Sequence, residues 1–214
     1  MITIHLSNLC PKIFQSRTDL NSEIWKREIT FEKGKTYLIE AMSGTGKSSL
    51  CSYISGYRND YNGILSFDQR DTHSLDISDW TQIRQKHISH LFQELRLFPE
   101  LTAYENIEIK NKLTHHKSGK QIMEWLEQLN IADKRDTLIG RMSFGQQQRV
   151  GLIRALVQPF DFLLADEPIS HLDEENAQLM GNLLNRELKA QGAGAIITSI
   201  GKHLPMNYDK IFKL

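Results

Sequence analysis

Cysteine is nearly absent from this chain of 214 residues: only Cys10 and Cys51 occur. No disulfide framework of an exported domain can be built from them, and the cytosol is the expected compartment. An excess of charge is missing as well, because 26 Lys and Arg balance 26 Asp and Glu. Without a global basic field there is no counterion release to hold nucleic acid, so no nucleic-acid partner is expected. No run of about 18 apolar residues occurs, and Met1–Leu6 lacks a basic segment leading into a long apolar one. The chain is therefore not expected to cross a membrane or to carry a leader. Internal repeats, low-complexity tracts and linkers are also lacking, and the length suits one domain with its own core.

What is present alternates between strand and helix patterns. Residues 2–6, 24–31, 36–40, 63–67 and 88–92 read as strands, and 47–55 as a helix entered from a glycine-rich turn. Between Glu94 and Met142 the character is helical, most plainly where Ile122, Met123, Trp125, Leu126 and Leu129 mark one apolar face. His115 and His116 fall in a polar loop and, as neighbours pointing apart, make no metal site. A helix through Val150, Ile153, Leu156 and Val157 ends near Pro159. Strand 160–165, helix 174–190, strand 194–198 and strand 208–214 complete the chain. Strands alternating with helices imply a parallel α/β core.

Three phosphate-handling segments stand in order on this frame. Ala41-Met42-Ser43-Gly44-Thr45-Gly46-Lys47-Ser48 has the form of a P-loop. Its backbone N–H groups would encircle the β- and γ-phosphates, Lys47 would supply a cation, and the Ser48 hydroxyl could ligate Mg²⁺. Ala41 stands where the usual pattern begins with glycine, which requires a negative φ there. Asp166 follows a run of apolar residues, so a buried strand would deliver its carboxylate to the strand's C-terminal end, with Glu167 beside it to polarise water. Between these two segments lies Met142-Ser143-Phe144-Gly145-Gln146-Gln147-Gln148-Arg149.

Taken together, these segments resemble the ATP-binding cassette (ABC) ATPases over nearly the whole chain. The resemblance implies an α/β fold: a P-loop NTPase core with a mainly parallel sheet, an N-terminal antiparallel β portion and an inserted α-helical subdomain. One domain over 1–214 follows, with the core at about 1–93 and 158–214 and the helical subdomain at about 94–157. ATP would be held by Phe14 on the adenine, by Ser43, Gly44, Thr45, Gly46, Lys47, Ser48 and Ser49, and by Ser143, Gly145 and Gln146 of the opposite subunit. Mg²⁺ would take Ser48, Gln93 and Asp166. Glu167, Gln93 and Lys47 would be the catalytic residues, and Ser170–Asp173 would cross between two cassettes. The resemblance further implies a second ABC subunit, identical or not, and a transmembrane permease, hence a place at the cytoplasmic face of the inner or plasma membrane. Leu97–Asn106 is similar to the stretch that forms a groove for the membrane partner. The pattern around Phe92-Gln93, Leu101-Thr102 and Glu105-Asn106 looks most like the lipoprotein-release, macrolide-export and cell-division group.

Departures from the family pattern are specific. Phe144 replaces a glycine of the signature, and Ser199 stands where a switch histidine is usual, with His203 four residues on. A serine is shorter than histidine and carries no positive charge. Reduced turnover is one expectation from these changes. An ATP-gated dimerisation module with weak hydrolysis is the alternative output, and a soluble ABC protein outside transport is a further one.

Overall fold

A computed structural model describes residues 1–17 and 20–214. Two sheets share one core. The first is antiparallel in the order β2-β1-β4-β5, built from β1 (Thr3–Pro11), β2 (Glu28–Glu32), β4 (Tyr61–Phe67) and β5 (Arg70–Asp71). The second has the order β6-β7-β8-β3-β9, built from β3 (Thr36–Glu40), β6 (Ile88–Leu91), β7 (Phe162–Asp166), β8 (Gly194–Ser199) and β9 (Lys210–Lys213). Every pairing in it is parallel. The central strands β7 and β8 are buried at every residue, which explains why they read as unbroken apolar runs instead of alternating ones.

Alternation along a strand divides the core in two. Leu38, Leu163, Ala165, Ala195 and Ile197 face one side of the parallel sheet and pack with the helices. Tyr37, Ile39, Phe162, Leu164 and Ile196 face the other and pack with Ile4, Leu6, Phe31 and Leu65 of the antiparallel sheet. Parallel strands joined by crossovers carry all their C-terminal ends to one edge, which is where a ligand of such a sheet binds. The segments after β3, β7 and β8 meet there.

The helices are α1 (Lys47–Ile54), α2 (Ile77–Lys86), α3 (Ala103–Asn111), α4 (Gly119–Gln128), α5 (Phe144–Leu156) and α6 (Glu174–Gln191). Helices α3, α4 and α5 lie between β6 and β7 in the chain, and Trp125, Leu126 and Leu129 enter the helix-side core as their spacing predicts.

Two elements differ from the sequence reading. Residues 24–31 are not one strand: the Ser22 hydroxyl accepts hydrogen bonds from the N–H groups of Ile24, at 3.1 Å, and Trp25, at 2.8 Å, and so holds a turn before β2 begins at Glu28. Helix α2 was not foreseen, since none of its residues is fully buried. A reciprocal capping box of Asp76 and Asp79 starts it.

Candidate functional site

Strand β3 ends at Glu40 and the chain turns through Ser43–Gly46 into α1. Gly44 and Gly46 take φ of 81° and 101°, a region that strains other residues, while Ala41 is not among the residues of positive φ. Helix α1 begins at Gly46 without a side-chain cap, whereas α2 to α6 are capped by Asp76, Thr102, Ser118, Ser143 and Asp173. The first N–H groups of α1 therefore lack a capping acceptor of their own, an arrangement that suits phosphate oxygens.

An aromatic brace supports this turn. The Trp25 indole N–H donates to the Thr45 carbonyl at 2.9 Å. A Cβ on Gly46 would lie 3.0 Å from the Trp25 ring and 3.2 Å from the Phe14 ring, so both rings lie against the loop. Phe14 is half-buried, with the Arg17 guanidinium 5.6 Å from its ring centre. Sequence reasoning missed Trp25 because its partner lies 20 residues away. Trp25→Phe removes one hydrogen bond worth about 0.5–1.5 kcal/mol, so ATP affinity is expected to weaken about twofold to tenfold in a fluorescent-nucleotide titration. Unchanged affinity with a lower melting temperature would mean that the indole supports only the fold.

Lys47 is buried, and its ammonium lies 3.2 Å from the Met42 carbonyl, 3.4 Å from the Ala41 carbonyl and 3.4 Å from Glu167 Oε1. Strand β7 brings Asp166 to the same edge, where it is buried and accepts a hydrogen bond from Thr198 Oγ1 at 2.5 Å. Thr198 is also the acceptor for the Glu167 N–H, through its hydroxyl and its carbonyl at 3.2 Å each. Glu167 has a φ of 50°, the left-handed conformation, which turns its carboxylate out of the strand direction toward Lys47. The structure thus brings Lys47, Asp166 and Glu167 together.

Ser43, Gly44 and Ser48 are exposed, and Thr45 and Gly46 half-buried, in the same loop. Ser49 is otherwise engaged: its hydroxyl accepts from Arg58 at 2.9 Å. Gln93 is exposed just past the end of β6. Among the described residues no group of three His, Cys, Asp or Glu could cage a metal. Mg²⁺ needs no such cage, since it commonly takes one or two carboxylates together with substrate phosphates and water, and Asp166 with Ser48 fits that demand.

The signature stands apart. Ser143 caps α5 in a reciprocal box with Gln146, at 2.9 and 3.3 Å. Phe144 sets its ring against His171, with centres 4.5 Å apart and planes at 67°. A Cβ on Gly145 would lie 3.0 Å from the Leu172 side chain, and Gln148 donates to Ser170 at 3.3 Å. Among the described residues no hydrogen bond or ion pair joins Ser143, Gly145 or Gln146 to Lys47 or Glu167. His203 reaches the residue that leads into the phosphate loop. Its Nε2 lies 2.7 Å from Glu40, and the Ser199 hydroxyl donates to the Lys202 carbonyl at 2.5 Å.

Comparison with known proteins agrees with this geometry. The "Macrolide export ATP-binding/permease protein MacB" of Shewanella sp. (strain ANA-3) is 28% identical over 211 residues, covering 96% of this chain and 32% of the relative. The chain thus spans about a third of that relative's length. The "Uncharacterized ABC transporter ATP-binding protein YbbA" of Escherichia coli (strain K12) is 30% identical over 190 residues, covering 87% of this chain and 83% of the relative. Among solved structures, a dimeric post-hydrolysis state of the ATP-binding cassette MJ0796 bound to ADP and Pi superposes with a TM-score of 0.77 at 26% identity, covering 92% of this chain and 87% of that one. The sequence profile of the "ABC transporter" family matches residues 26–170, from the turn before β2 to the segment after Glu167. On these grounds the chain belongs to the ABC transporter family, as an ATPase domain of the ATP-binding cassette fold.

Proposed function

We propose that this chain is the ATP-hydrolysing subunit of an ABC transporter or mechanotransmission complex, closing with a second cassette around ATP to drive a separate membrane subunit. The observation that carries this reading is the Lys47–Glu167 ion pair at 3.4 Å, which joins the phosphate loop to the carboxylate that follows β7. In it, each group needed for phosphoryl transfer holds the other in reserve.

Arrival of ATP gives Lys47 a stronger anion than Glu167, the β- and γ-phosphates, and releases the carboxylate to accept a hydrogen bond from water. That water attacks the γ-phosphorus, the bond to the β–γ bridging oxygen breaks, and the water proton passes to Glu167. The backbone of Ser43–Ser48 cradles the phosphates and Phe14 stacks on adenine, while Ser49, expected to join them, is held by Arg58. Mg²⁺, with Ser48, Gln93 and Asp166 as its protein ligands, would neutralise charge on the phosphates. Ser143, Gly145 and Gln146 are proposed to serve the site of the opposite cassette, a reading supported by the absence, among the described residues, of any hydrogen bond from them to Lys47.

Likeness to a macrolide-export protein supports the lipoprotein-release, macrolide-export and cell-division group; within it, the class of work proposed is export of a lipid or lipoprotein, and the place proposed is the cytoplasmic face of the membrane. No described helix is long and apolar enough to cross a membrane. Affinity purification of the tagged chain from its own membranes in mild detergent is expected to recover a polytopic membrane protein in equal amount, with ATP turnover that Glu167→Gln abolishes. A soluble partner or none at all would sink this reading.

A further inference from the structure

A cavity of about 210 Å³ opens beside Glu167 at the C-terminal edge of the parallel sheet, where Ile169, Ser170, Ser199, Ile200 and Lys202 complete its lining. Among the described residues that line it, Lys202 is the one base and Glu167 the one acid. The backbone fixes this cavity to the hydrolytic site. The end of β8 is held from both sides: the Ala41 N–H, at the entrance to the phosphate loop, donates to the Ser199 carbonyl at 3.1 Å, and the Glu167 N–H donates to the Thr198 carbonyl at 3.2 Å. Beyond β8 the chain doubles back through Gly201, whose φ of 95° favours glycine, and the Ser199 hydroxyl closes the turn on the Lys202 carbonyl.

That bond uses the one O–H of Ser199, which is only 3% exposed, so residue 199 itself offers no donor to a phosphate. Lys202 is placed differently. It is exposed, and among the described residues its ammonium makes one hydrogen bond, to the Leu172 carbonyl at 3.5 Å, the outer limit for such a bond. No ion pair holds it among the described residues, whereas His203 is taken by Glu40 at 2.7 Å and Lys47 by Glu167 at 3.4 Å. An ammonium on a flexible stem, kept by a single long bond to a neutral carbonyl, turns readily to an anion that enters the cavity it lines.

We propose that Lys202 is a catalytic residue of ATP hydrolysis: as the γ-phosphate enters beside Glu167, the ammonium leaves the Leu172 carbonyl and donates to a non-bridging oxygen of that phosphate. The inference rests on the hydrolytic reading of Lys47 and Glu167 above and adds a second cation, carried on the turn after β8 instead of the loop before α1. No proton passes through Lys202. Glu167 still takes the proton of the attacking water and the bond to the β–γ bridging oxygen still breaks, while the lysine offsets the charge spread over the oxygens of the transferring group.

The test compares the full chain with Lys202→Met, Lys202→Arg and Glu167→Gln, by steady-state ATP turnover and by titration with ADP and with AMP-PNP, an ATP analogue that is not hydrolysed. Lys202→Met is expected to lower kcat at least about tenfold and to narrow the preference for AMP-PNP over ADP, with ADP affinity unchanged because ADP lacks the γ-phosphate. Lys202→Arg, which keeps a cationic donor, should retain more of both. Folding is not the obstacle, since Lys202 is exposed on a surface turn and its replacement should leave the melting temperature level. If Lys202 served only to hold the Leu172 carbonyl, kcat would fall with the preference for AMP-PNP intact. That result, a kcat for Lys202→Met within about twofold of the parent, or equal losses in Lys202→Met and Lys202→Arg overturns the inference and leaves Lys47 and Glu167 in their roles. Turnover that Glu167→Gln leaves intact removes the hydrolytic reading, and this inference with it.

Discussion

Glu167→Gln is expected to lower ATP turnover by about 10²–10⁴-fold while ATP still binds. The two side chains have nearly the same shape, so the left-handed backbone at φ 50° and the N–H bonds to Thr198 persist. What disappears is a carboxylate able to take the proton of the attacking water. The same substitution removes the anion 3.4 Å from Lys47, leaving that ammonium free for phosphate. ATP affinity should hold or rise, and ATP should drive association of two chains that persists because the nucleotide is not consumed. Single-turnover hydrolysis, nucleotide titration and light scattering with ATP separate these outcomes. Turnover within tenfold of the parent would remove Glu167 from the chemistry, and affinity lost in step with turnover would make it only a prop for Lys47.

How much of this was legible in the sequence follows from how local each feature is. The phosphate loop, the apolar run into Asp166 and the signature could be read because their chemistry demands given residue types at fixed spacing. Strands β7 and β8 declared themselves through runs buried on both faces. Features settled by distant partners did not. Trp25 looked like part of a strand until Ser22 and Thr45 bound it, and α2 hid because its face is only half covered. His203 is held by Glu40, far away in the chain, which no spacing rule connects. Phe144 was visible as a departure, but that its ring lies on His171 is a tertiary fact.

The largest loss of stability from a single charge is expected at Glu187. Helix α3 ends at Asn111, whose side chain bonds both the N–H and the carbonyl of Lys117, at 3.1 and 2.9 Å, and so shapes the turn into α4. From that turn Lys117 reaches Glu187 of α6 at 2.9 Å, with both side chains at least nine-tenths buried, and its ammonium lies 5.1 Å from the Trp125 ring. This pair fastens the α3–α4 turn to α6, the helix that opens just after Leu172, on which Gly145 of the signature rests. Glu187→Gln leaves Lys117 buried with no charge partner, a change that costs about 3–5 kcal/mol and, for a chain of this length, lowers the melting temperature by about 6–20 °C. Lys117→Met should cost less, because the Arg186 guanidinium still lies 3.6 Å from Glu187 Oε1. Lys117→Met with Glu187→Leu removes both charges and fills the space, and it should recover most of the loss, since a buried pair replaced by apolar groups is often neutral. Thermal melts of the three variants test the ordering. A double variant as unstable as Glu187→Gln would show that the packing of residue 187, and not its charge, holds the turn to α6.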